Sequence, residues 1–296
     1  MALKKGMDED PDISLMFQCP FKEGLTQDKV QVDISSKYNR RVLPSYEQKI
    51  EEIWGERCLE NQWLFNGAKF RIHSMSQENG ILTFCLGLTD YKDYIGTNWS
   101  KDSSFLQQQG LEDFGDSQAY LAEPLGVGAM LQTEDGYFVF LRRSQQVAEA
   151  AGQVDIPGGH PEPKAVVKNI PEEAIRVEHL SRELVVQELF SSILGEIRDE
   201  VNIPEACLSR PVLLGVAQNN RSAGRPSAEF YVRCKLTVEE VRQNYLIGGP
   251  EAHESTSIVF VKAEDVILTE EWLWKQLCPS AKGGVKLYSL VRPQLD

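Results

Sequence analysis

The sequence has no apolar run that approaches the roughly 20 residues of a membrane-spanning helix. It is also poor in basic residues: 31 Lys and Arg stand against 44 Asp and Glu, a net charge of −13. A chain this acidic has no general attraction for nucleic acid or anionic lipid, so we expect neither nucleic acid nor a membrane as a partner. An anionic ligand would need a local cluster of cations or a metal ion.

Cysteines are few and far apart, and no two of the six form a Cys-x-x-Cys pair. Several lie in apolar segments, as Cys85 does, which predicts reduced core thiols in place of disulfides or a zinc site. The N-terminus turns acidic where a signal peptide would be apolar. These features predict a cytoplasmic protein, with the nucleus as a second compartment.

Several motifs of common enzyme classes are also missing. The sequence has no internal repeat, no P-loop, no zinc-protease His-Glu-x-x-His, no dinucleotide-binding Gly-x-Gly-x-x-Gly and no nucleophile elbow. Its 296 residues, 42% of them hydrophobic, suffice for one large or two ordinary domains, each with a core. The chemistry must therefore come from other residues.

The pattern of predicted elements divides the chain into two parts. The first has an amphipathic helix near 46–60 and a hairpin that turns at Gln77-Glu-Asn-Gly. Residues 100–117 are polar and lack strong periodicity, so we place a boundary there and expect domains 1–117 and 118–296. The second part has strand-like runs before and after one long helix, which indicates an α/β domain.

The long helix, predicted for about Leu180–Val201, carries the most information. Its apolar residues share one stripe, namely Val186, Phe190, Ile193, Leu194, Ile197 and Val201. The adjacent arc is acidic and holds Glu188, Glu196, Asp199 and Glu200. Glu196 and Glu200 stack at i and i+4, where like charges destabilise a bare helix. A bound Mg²⁺ would relieve the repulsion, since it prefers clustered carboxylate oxygens; a solvated acidic face is the alternative.

The segment before this helix, Val154-Asp-Ile-Pro-Gly-Gly-His, predicts a short strand entering a Gly-Gly turn. Together with the helix it resembles the Nudix hydrolases, whose box runs Gly, five residues, Glu, seven residues, then Arg-Glu-hydrophobic-x-Glu-Glu-x-Gly-hydrophobic. Gly159 matches the opening glycine, and residues 195–203 align with the second half. Gly195 stands where the box has Arg. Asn202 replaces the last Gly, a mild change because Asn tolerates the left-handed conformation at a helix end.

The box is lengthened by residues 161–179, which are rich in charge and contain three prolines. We expect them to form a surface insertion that can be shortened without loss of the fold. Segments that begin at Leu86, Phe140 and Gly249 look like one divergent branch of the family with the same lengthened box. The resemblance implies an α/β/α sandwich, a mixed sheet with the carboxylate-bearing helix, preceded by a smaller α+β N-terminal domain that contributes to the nucleotide pocket.

This branch is similar in activity to a Mg²⁺-dependent diphosphatase that splits UDP-glucose or UDP-galactose into UMP and the sugar 1-phosphate. The resemblance makes Glu196 and Glu200 the metal ligands and catalytic residues. Strict register puts Gln187 where the family has its isolated Glu, but helical geometry favours Glu188. For the general base we choose Glu254, because a late loop often faces the metal in this fold.

The resemblance also implies a set of substrate-binding residues. They are Phe65, Tyr91, Arg143, Ala148, Asp155, His160, Glu162 and Ser280. Phe65 and Tyr91 would contact uracil or ribose, where stacking on a ring contributes roughly 1–3 kcal/mol. The guanidinium of Arg143 would bind the diphosphate. From the residues alone, a place in the core is the stronger reading of Phe65.

Two alternatives stay open. The chain could hydrolyse another nucleoside diphosphate derivative, such as ADP-ribose or a coenzyme. It could also be a catalytically silent Nudix-fold binding module, as the missing box Arg suggests, although the retained Glu196 and Glu200 argue against that. No pattern in the sequence indicates an oligomeric state.

Overall fold

The computed structural model describes residues 10–145, 150–268 and 271–293, which build two β-sheets and the helices packed on them. The strands are β1 (Ile13–Gln18), β2 (Val30–Ile34), β3 (Ala68–Glu78), β4 (Ile81–Asp90), β5 (Gly126–Gln132), β6 (Tyr137–Arg143), β7 (Val154–Asp155), β8 (Gly158–Gly159), β9 (Val212–Asn219), β10 (Arg225–Arg233) and β11 (Ser255–Lys262). The helices are α1 (Glu47–Glu60), α2 (Tyr91–Gly96), α3 (Ser103–Phe114), α4 (Pro163–Val166), α5 (Arg182–Val201), α6 (Val238–Ile247), α7 (Ala263–Leu268), α8 (Glu271–Trp274) and α9 (Pro279–Val291).

The larger sheet is mixed and has the order β1-β9-β10-β5-β6-β11, with β7 beside β6 and β8 beside β5. Strands β5 and β10 are parallel, and the other pairs are antiparallel. Helix α5 covers one face, where Phe190 packs edge-on against Phe230 of β10. Helix α9 covers the other, where Tyr288 packs against Phe138 and Tyr231. The predicted α/β sandwich is therefore confirmed.

The smaller sheet has the order β2-β4-β3 and comes from the N-terminal third of the chain. Strands β3 and β4 form the predicted hairpin, and β2 runs parallel to β4. Helix α5 also contacts β2, so this helix lies between the two sheets. One continuous hydrophobic cluster includes Leu82 and Phe84 of β4 and Ile193 and Ile197 of α5. The two sheets therefore share a core.

The division into domains at residue 117 stays a prediction, with one qualification. Strand β1 belongs to the larger sheet, where Ile13 pairs with Asn219 of β9. The first residues of the chain that the structure describes thus complete the sheet of the second predicted domain. None of the helices in the described ranges is both long and apolar enough to cross a membrane.

Helix α5 begins two residues later than predicted and ends where predicted. The hydroxyl of Ser181 accepts a hydrogen bond from the backbone N–H of Leu184 and caps the N-terminus. Asn202 follows the helix with φ 62° and ψ 35°, the left-handed conformation expected of it.

None of the six cysteines, all within the described residues, is in a disulfide, as the sequence predicts.

Residues 100–117, where the sequence lacks strong periodicity, include helix α3 at Ser103–Phe114. Only Leu106 and Gly110 of this helix are buried, so its apolar face is too narrow to give a clear periodic signal. The helix ends at Gly115 with φ 69°, a conformation that glycine adopts without strain.

The prediction that residues 161–179 form a surface insertion was wrong. Val167 and Ile175 are buried in the main core, at 7% and 4% exposure. The carboxylate of Glu172 accepts a hydrogen bond from the backbone N–H of Ala68 at the start of β3. The apolar residues of this segment are separated by prolines and charges, so their burial leaves no periodic pattern in the sequence.

Candidate active site

A cavity of about 720 Å³ lies at the boundary between the N-terminal third and the larger sheet. Its aromatic wall consists of Trp63, Phe65, Tyr91, Tyr94 and Trp99. Its acidic cluster comprises Glu196, Glu251 and Glu254, with Glu200 directly behind Gly158 of the lining. A nucleotide-sized ligand fits a space of this volume.

The cavity brings together nearly all of the predicted site residues. Those that line it are Phe65, Tyr91, Arg143, Asp155, His160, Glu162, Glu196, Glu254 and Ser280. Ala148 lies outside the described residues. The roles of these residues stay predictions, but residues from both predicted domains lie around one space.

Glu196 and Glu200 hold the glycine pair of β8 against helix α5. The Glu196 Oε1 accepts a hydrogen bond from the His160 backbone N–H at 3.3 Å, and Glu200 Oε2 accepts one from Gly158 at 3.0 Å. A side-chain carbon at Gly159 would overlap the Glu196 carboxylate. The glycines therefore allow close approach of β8 to α5, although they form a short strand and not the predicted turn.

The surroundings of this carboxylate pair disfavour negative charge. Burial raises the pKa of Glu196 to about 7, with further contributions from the charges of Glu251 and Glu254. Burial likewise raises the pKa of Glu200 well above its usual range, and Glu196 and Asp155 add to the effect. A bound cation would reverse this repulsion by favouring the ionised carboxylates.

The donor set fits a divalent cation such as Mg²⁺, which binds carboxylate oxygens and keeps water or phosphate oxygens as its other ligands. Within the part of the chain that the structure describes, no group of three or more His, Cys, Asp and Glu side chains is already spaced to enclose a metal ion. Glu196 and Glu200 would therefore supply only part of the coordination. Asp199, predicted in the same acidic arc, pairs instead with Arg198 at 2.7 Å.

Arg143 presents its guanidinium to the cavity from the end of β6. Its Nη1 lies 3.0 Å from Asp155 Oδ2, and Asp155 Oδ1 accepts a hydrogen bond from the Ile156 N–H at 2.9 Å. Arg142 bonds instead to the carbonyl of Gly152 and to Gln276. The alternation of the strand thus separates the two arginines, and Asp155 orients the one at the cavity.

Glu162 and His160 lie where β8 leads into the lengthened part of the box. Glu162 forms an ion pair with Lys69 at 2.9 Å, and its backbone N–H donates to Glu188 Oε1 at 2.9 Å. Burial, together with the charges of Lys69 and Arg225, lowers the pKa of His160 well below its usual range, so the imidazole is neutral at pH 7. Glu188 faces this region and its neighbour in sequence, Gln187, is exposed, as helical geometry predicts.

Glu254 and Ser280 come from two late segments of the chain. Glu254 is the last residue of a short helical turn. Its backbone carbonyl accepts a hydrogen bond at 2.8 Å from the N–H of Ser144, the residue after β6. Ser280 is the second residue of α9, so the N-terminal end of that helix contributes to the cavity lining.

The aromatic wall settles one alternative that the sequence left open. Phe65 is 71% exposed, so it is not a core residue. Tyr91 and Tyr94 have ring centroids 6.2 Å apart, and Tyr94 stacks on Trp99 at 6.3 Å. The guanidinium of Arg225 lies 5.7 Å from the centre of the Tyr94 ring.

Sequence reasoning missed several lining residues, among them Trp63, Lys69, Tyr94, Trp99 and Arg225. The density of aromatic residues between Tyr91 and Trp99 was a signal that could have pointed to Tyr94 and Trp99. No sequence signal marked Lys69 or Arg225. They lie on strands of different sheets, and only the tertiary structure brings them to one cavity.

Comparison with known proteins gives two informative relatives. The chain is 53% identical over 289 residues to the human protein named uridine diphosphate glucose pyrophosphatase NUDT22, covering 96% of this chain and 94% of that one. It is 32% identical over 297 residues to Nudix hydrolase 9 of Arabidopsis thaliana, covering 95% and 91%. The solved structure of MutT protein from Methanosarcina mazei Go1 covers 57% of this chain and 95% of its own, at 17% identity and a TM-score of 0.34, which is too loose for inference. No family model matches the sequence.

Proposed function

The chain belongs to the Nudix hydrolases, and we propose that it hydrolyses the diphosphate of UDP-glucose and UDP-galactose. The products would be UMP and glucose 1-phosphate or galactose 1-phosphate. The observation that carries the proposal is that one cavity joins Glu196, with the buried Glu200 beside it, to an aromatic wall. A nucleotide sugar needs both, because its diphosphate and its base are recognised by different chemistry. The name of the human relative agrees with this substrate class.

The reaction adds water across the P–O–P linkage. The oxygen of water bonds to one phosphorus, and the bridging oxygen leaves with the other phosphate. A divalent cation, proposed to be Mg²⁺ and held by Glu196 and Glu200, would offset phosphate charge and acidify a water molecule. Glu254 is our proposed acceptor of the proton that the attacking water loses, because it lies in the same acidic cluster.

Arg143 binds non-bridging phosphate oxygens in this proposal. Its ion pair with Asp155 fixes the orientation of the guanidinium before substrate arrives, so less side-chain freedom is lost on binding. The neutral His160 can contact a phosphate or sugar oxygen with no second positive charge at that position. Ser280, at the N-terminal end of α9, offers a hydroxyl for the sugar or its phosphate.

The uridine would lie against the aromatic wall. Phe65 exposes most of its ring, and Tyr91 is already packed against Tyr94, so both can contact a planar base without rearrangement. The overall charge of −13 supports a small-molecule substrate and not nucleic acid or a membrane surface. The predicted cytoplasmic location is part of this proposal.

A panel of nucleotide diphosphate compounds tests the proposed function. UDP-glucose, UDP-galactose, ADP-ribose and coenzyme A are each incubated with the protein and Mg²⁺, with EDTA in parallel, and the nucleoside monophosphate is quantified. We expect UMP from both UDP-sugars, only with the metal, and a much slower reaction of the adenine compounds. The helix also offers a matched pair, because Glu196→Gln should abolish UMP release while the exposed Glu183→Gln should not. Faster cleavage of ADP-ribose, or no cleavage at all, would contradict the proposal.

A further inference from the structure

The segment between β8 and α5, residues 160–181, contacts elements on both sides of the cavity. On the α5 side, the backbone N–H of His160 bonds to Glu196, and that of Glu162 bonds to Glu188. On the side of the smaller sheet, Glu162 pairs with Lys69 of β3. We name residues 160–181 the bridging segment.

A second contact of the bridging segment reaches the base of the aromatic wall. Oε2 of Glu172 accepts a hydrogen bond from the Ala68 backbone N–H at 3.0 Å. The carbonyl of the same peptide group, which belongs to Gly67, accepts a hydrogen bond from the Tyr91 N–H at 3.1 Å. One peptide plane is therefore held on both sides, by a side chain of the bridging segment and by the backbone of an aromatic-wall residue.

The edge of the Phe65 ring lies close to Gly67, in this same peptide group. A side-chain carbon placed at Gly67 would be 3.2 Å from the edge of the Phe65 ring and 3.4 Å from Oε2 of Glu172. The absence of a side chain at Gly67 therefore lets the ring and the carboxylate converge on one point. Phe65 is otherwise exposed, so its position depends on the few contacts that it makes there.

We propose that Glu172 is a positioning residue for nucleoside binding. By fixing the Gly67–Ala68 peptide it sets the position of Phe65 and Tyr91 relative to each other, and the bridging segment connects them to α5. The residue acts through these two aromatic side chains and touches no reacting atom. This inference rests on the proposed function, because it takes both rings to contact the uridine.

Three variants of neighbouring acids separate positioning from general damage. Glu172→Ala removes the acceptor, Glu172→Gln retains an oxygen that can accept from Ala68, and Glu173→Ala changes an exposed acid next to it. We expect Glu172→Ala to raise KM for UDP-glucose about three- to tenfold with kcat within about twofold of the unmutated protein. Glu172→Gln and Glu173→Ala should match the unmutated protein in both. An unchanged KM in Glu172→Ala, or an equal rise in Glu173→Ala, would overturn the proposal.

A combined variant and a glycine substitution provide independent measurements. Because Glu172 acts through both rings, Phe65→Ala/Tyr91→Ala/Glu172→Ala should have a KM within about twofold of Phe65→Ala/Tyr91→Ala. Independent effects would multiply, and that result would contradict the proposal. If circular dichroism shows that Glu172→Ala does not fold, Gly67→Ala decides. A methyl group there would lie 3.2 Å from the Phe65 ring edge, so the ring must shift by a few tenths of an ångström and KM should rise. An unchanged KM in Gly67→Ala would overturn the proposal.

The same assays keep the two hypotheses apart. If the unmutated protein does not release UMP from UDP-glucose, the proposed function fails. If it releases UMP and Glu172→Ala behaves like Glu173→Ala, only the positioning role fails.

Discussion

Glu196 and Glu200 lie one helical turn apart on α5. Each carboxylate accepts a backbone hydrogen bond, Glu200 from Gly158 of β8 and Glu196 from His160, which follows β8. In the absence of a cation, their charges repel each other and are poorly solvated. In the proposed mechanism the same charges serve as ligands of a cation. The pair would then lower the stability of the metal-free protein while providing metal affinity.

Glu196→Gln and Glu200→Gln test this arrangement at the level of single residues. In each variant the glutamine amide oxygen can still accept the backbone hydrogen bond, but the substitution removes one negative charge. We expect UMP release to fall by at least about 100-fold. We expect the free energy of unfolding in EDTA, measured with urea, to stay equal or rise by about 0.2–0.5 kcal/mol. Full Mg²⁺-dependent turnover in both variants would exclude the metal assignment.

Two glycines near this pair should respond in opposite ways to the same substitution. Gly159→Ala would place a methyl group on the Glu196 carboxylate, and a displacement of about 1 Å costs on the order of 100-fold in rate. A methyl group at Gly195, within α5, has its nearest neighbour at 3.9 Å. Gly195→Ala should therefore keep the activity and raise the free energy of unfolding by about 0.5–1 kcal/mol. Comparable activities of the two variants would show that β8 does not position Glu196.

At the scale of elements, predictability from sequence follows the strength of the hydrophobic pattern. Helix α5 and the hairpin of β3 and β4 bury wide, regular apolar faces, so their positions were predicted closely. Helix α3 buries two residues and β2 and β1 are short, so none of them was predicted. The half of the site that we propose to bind metal has a motif in the sequence. The other half depends on contacts between distant strands, such as those that bring Lys69 and Arg225 to the cavity.

The bridging segment shows the same limit, because its buried residues are isolated. Ile175 is 4% exposed within a stretch that reads as surface. Ile175→Ala should lower the free energy of unfolding by about 2–5 kcal/mol, since it removes buried methyl groups and leaves a cavity. The exposed Glu178→Ala should change it by no more than about 0.5 kcal/mol. Urea denaturation measures both free energies. A small effect of Ile175→Ala would support the original prediction that this segment is a surface insertion.

At the scale of the whole molecule, the first and last described segments are joined by charge. The Lys282 Nζ of α9 lies 2.8 Å from Asp10 Oδ2 and 3.0 Å from Asp12 Oδ2. Asp12 also pairs with Arg221, which lies in the connection between β9 and β10. Lys282 is 8% exposed. Because Arg221 lines the cavity, this cluster supports one of its walls from behind.

The cluster predicts a loss of stability in acid. Burial opposes ionisation of Asp10 and Asp12, but Lys282, Arg221 and the hydrogen bonds around them outweigh it and hold both pKa values below the usual 3.8. Groups with a lowered folded-state pKa stabilise the protein above the unfolded-state value and lose that contribution as pH falls through the folded-state value. The free energy of unfolding should therefore decline below about pH 4, and less steeply in Asp12→Asn than in the unmutated protein or Glu173→Gln. Identical slopes in all three would contradict the assignment.

The location of a bound substrate tests most directly whether the carboxylate pair and the aromatic wall bind the diphosphate and the uracil of UDP-glucose. A crystal structure of the Glu254→Gln variant with UDP-glucose and Mg²⁺ would capture the complex before hydrolysis. We expect a metal ion about 2.0–2.1 Å from oxygens of Glu196 and Glu200. We expect the diphosphate beside that ion and Arg143, and the uracil ring against Phe65 and Tyr91. A metal ion bound away from both glutamates, or a uracil ring outside the aromatic wall, would contradict it.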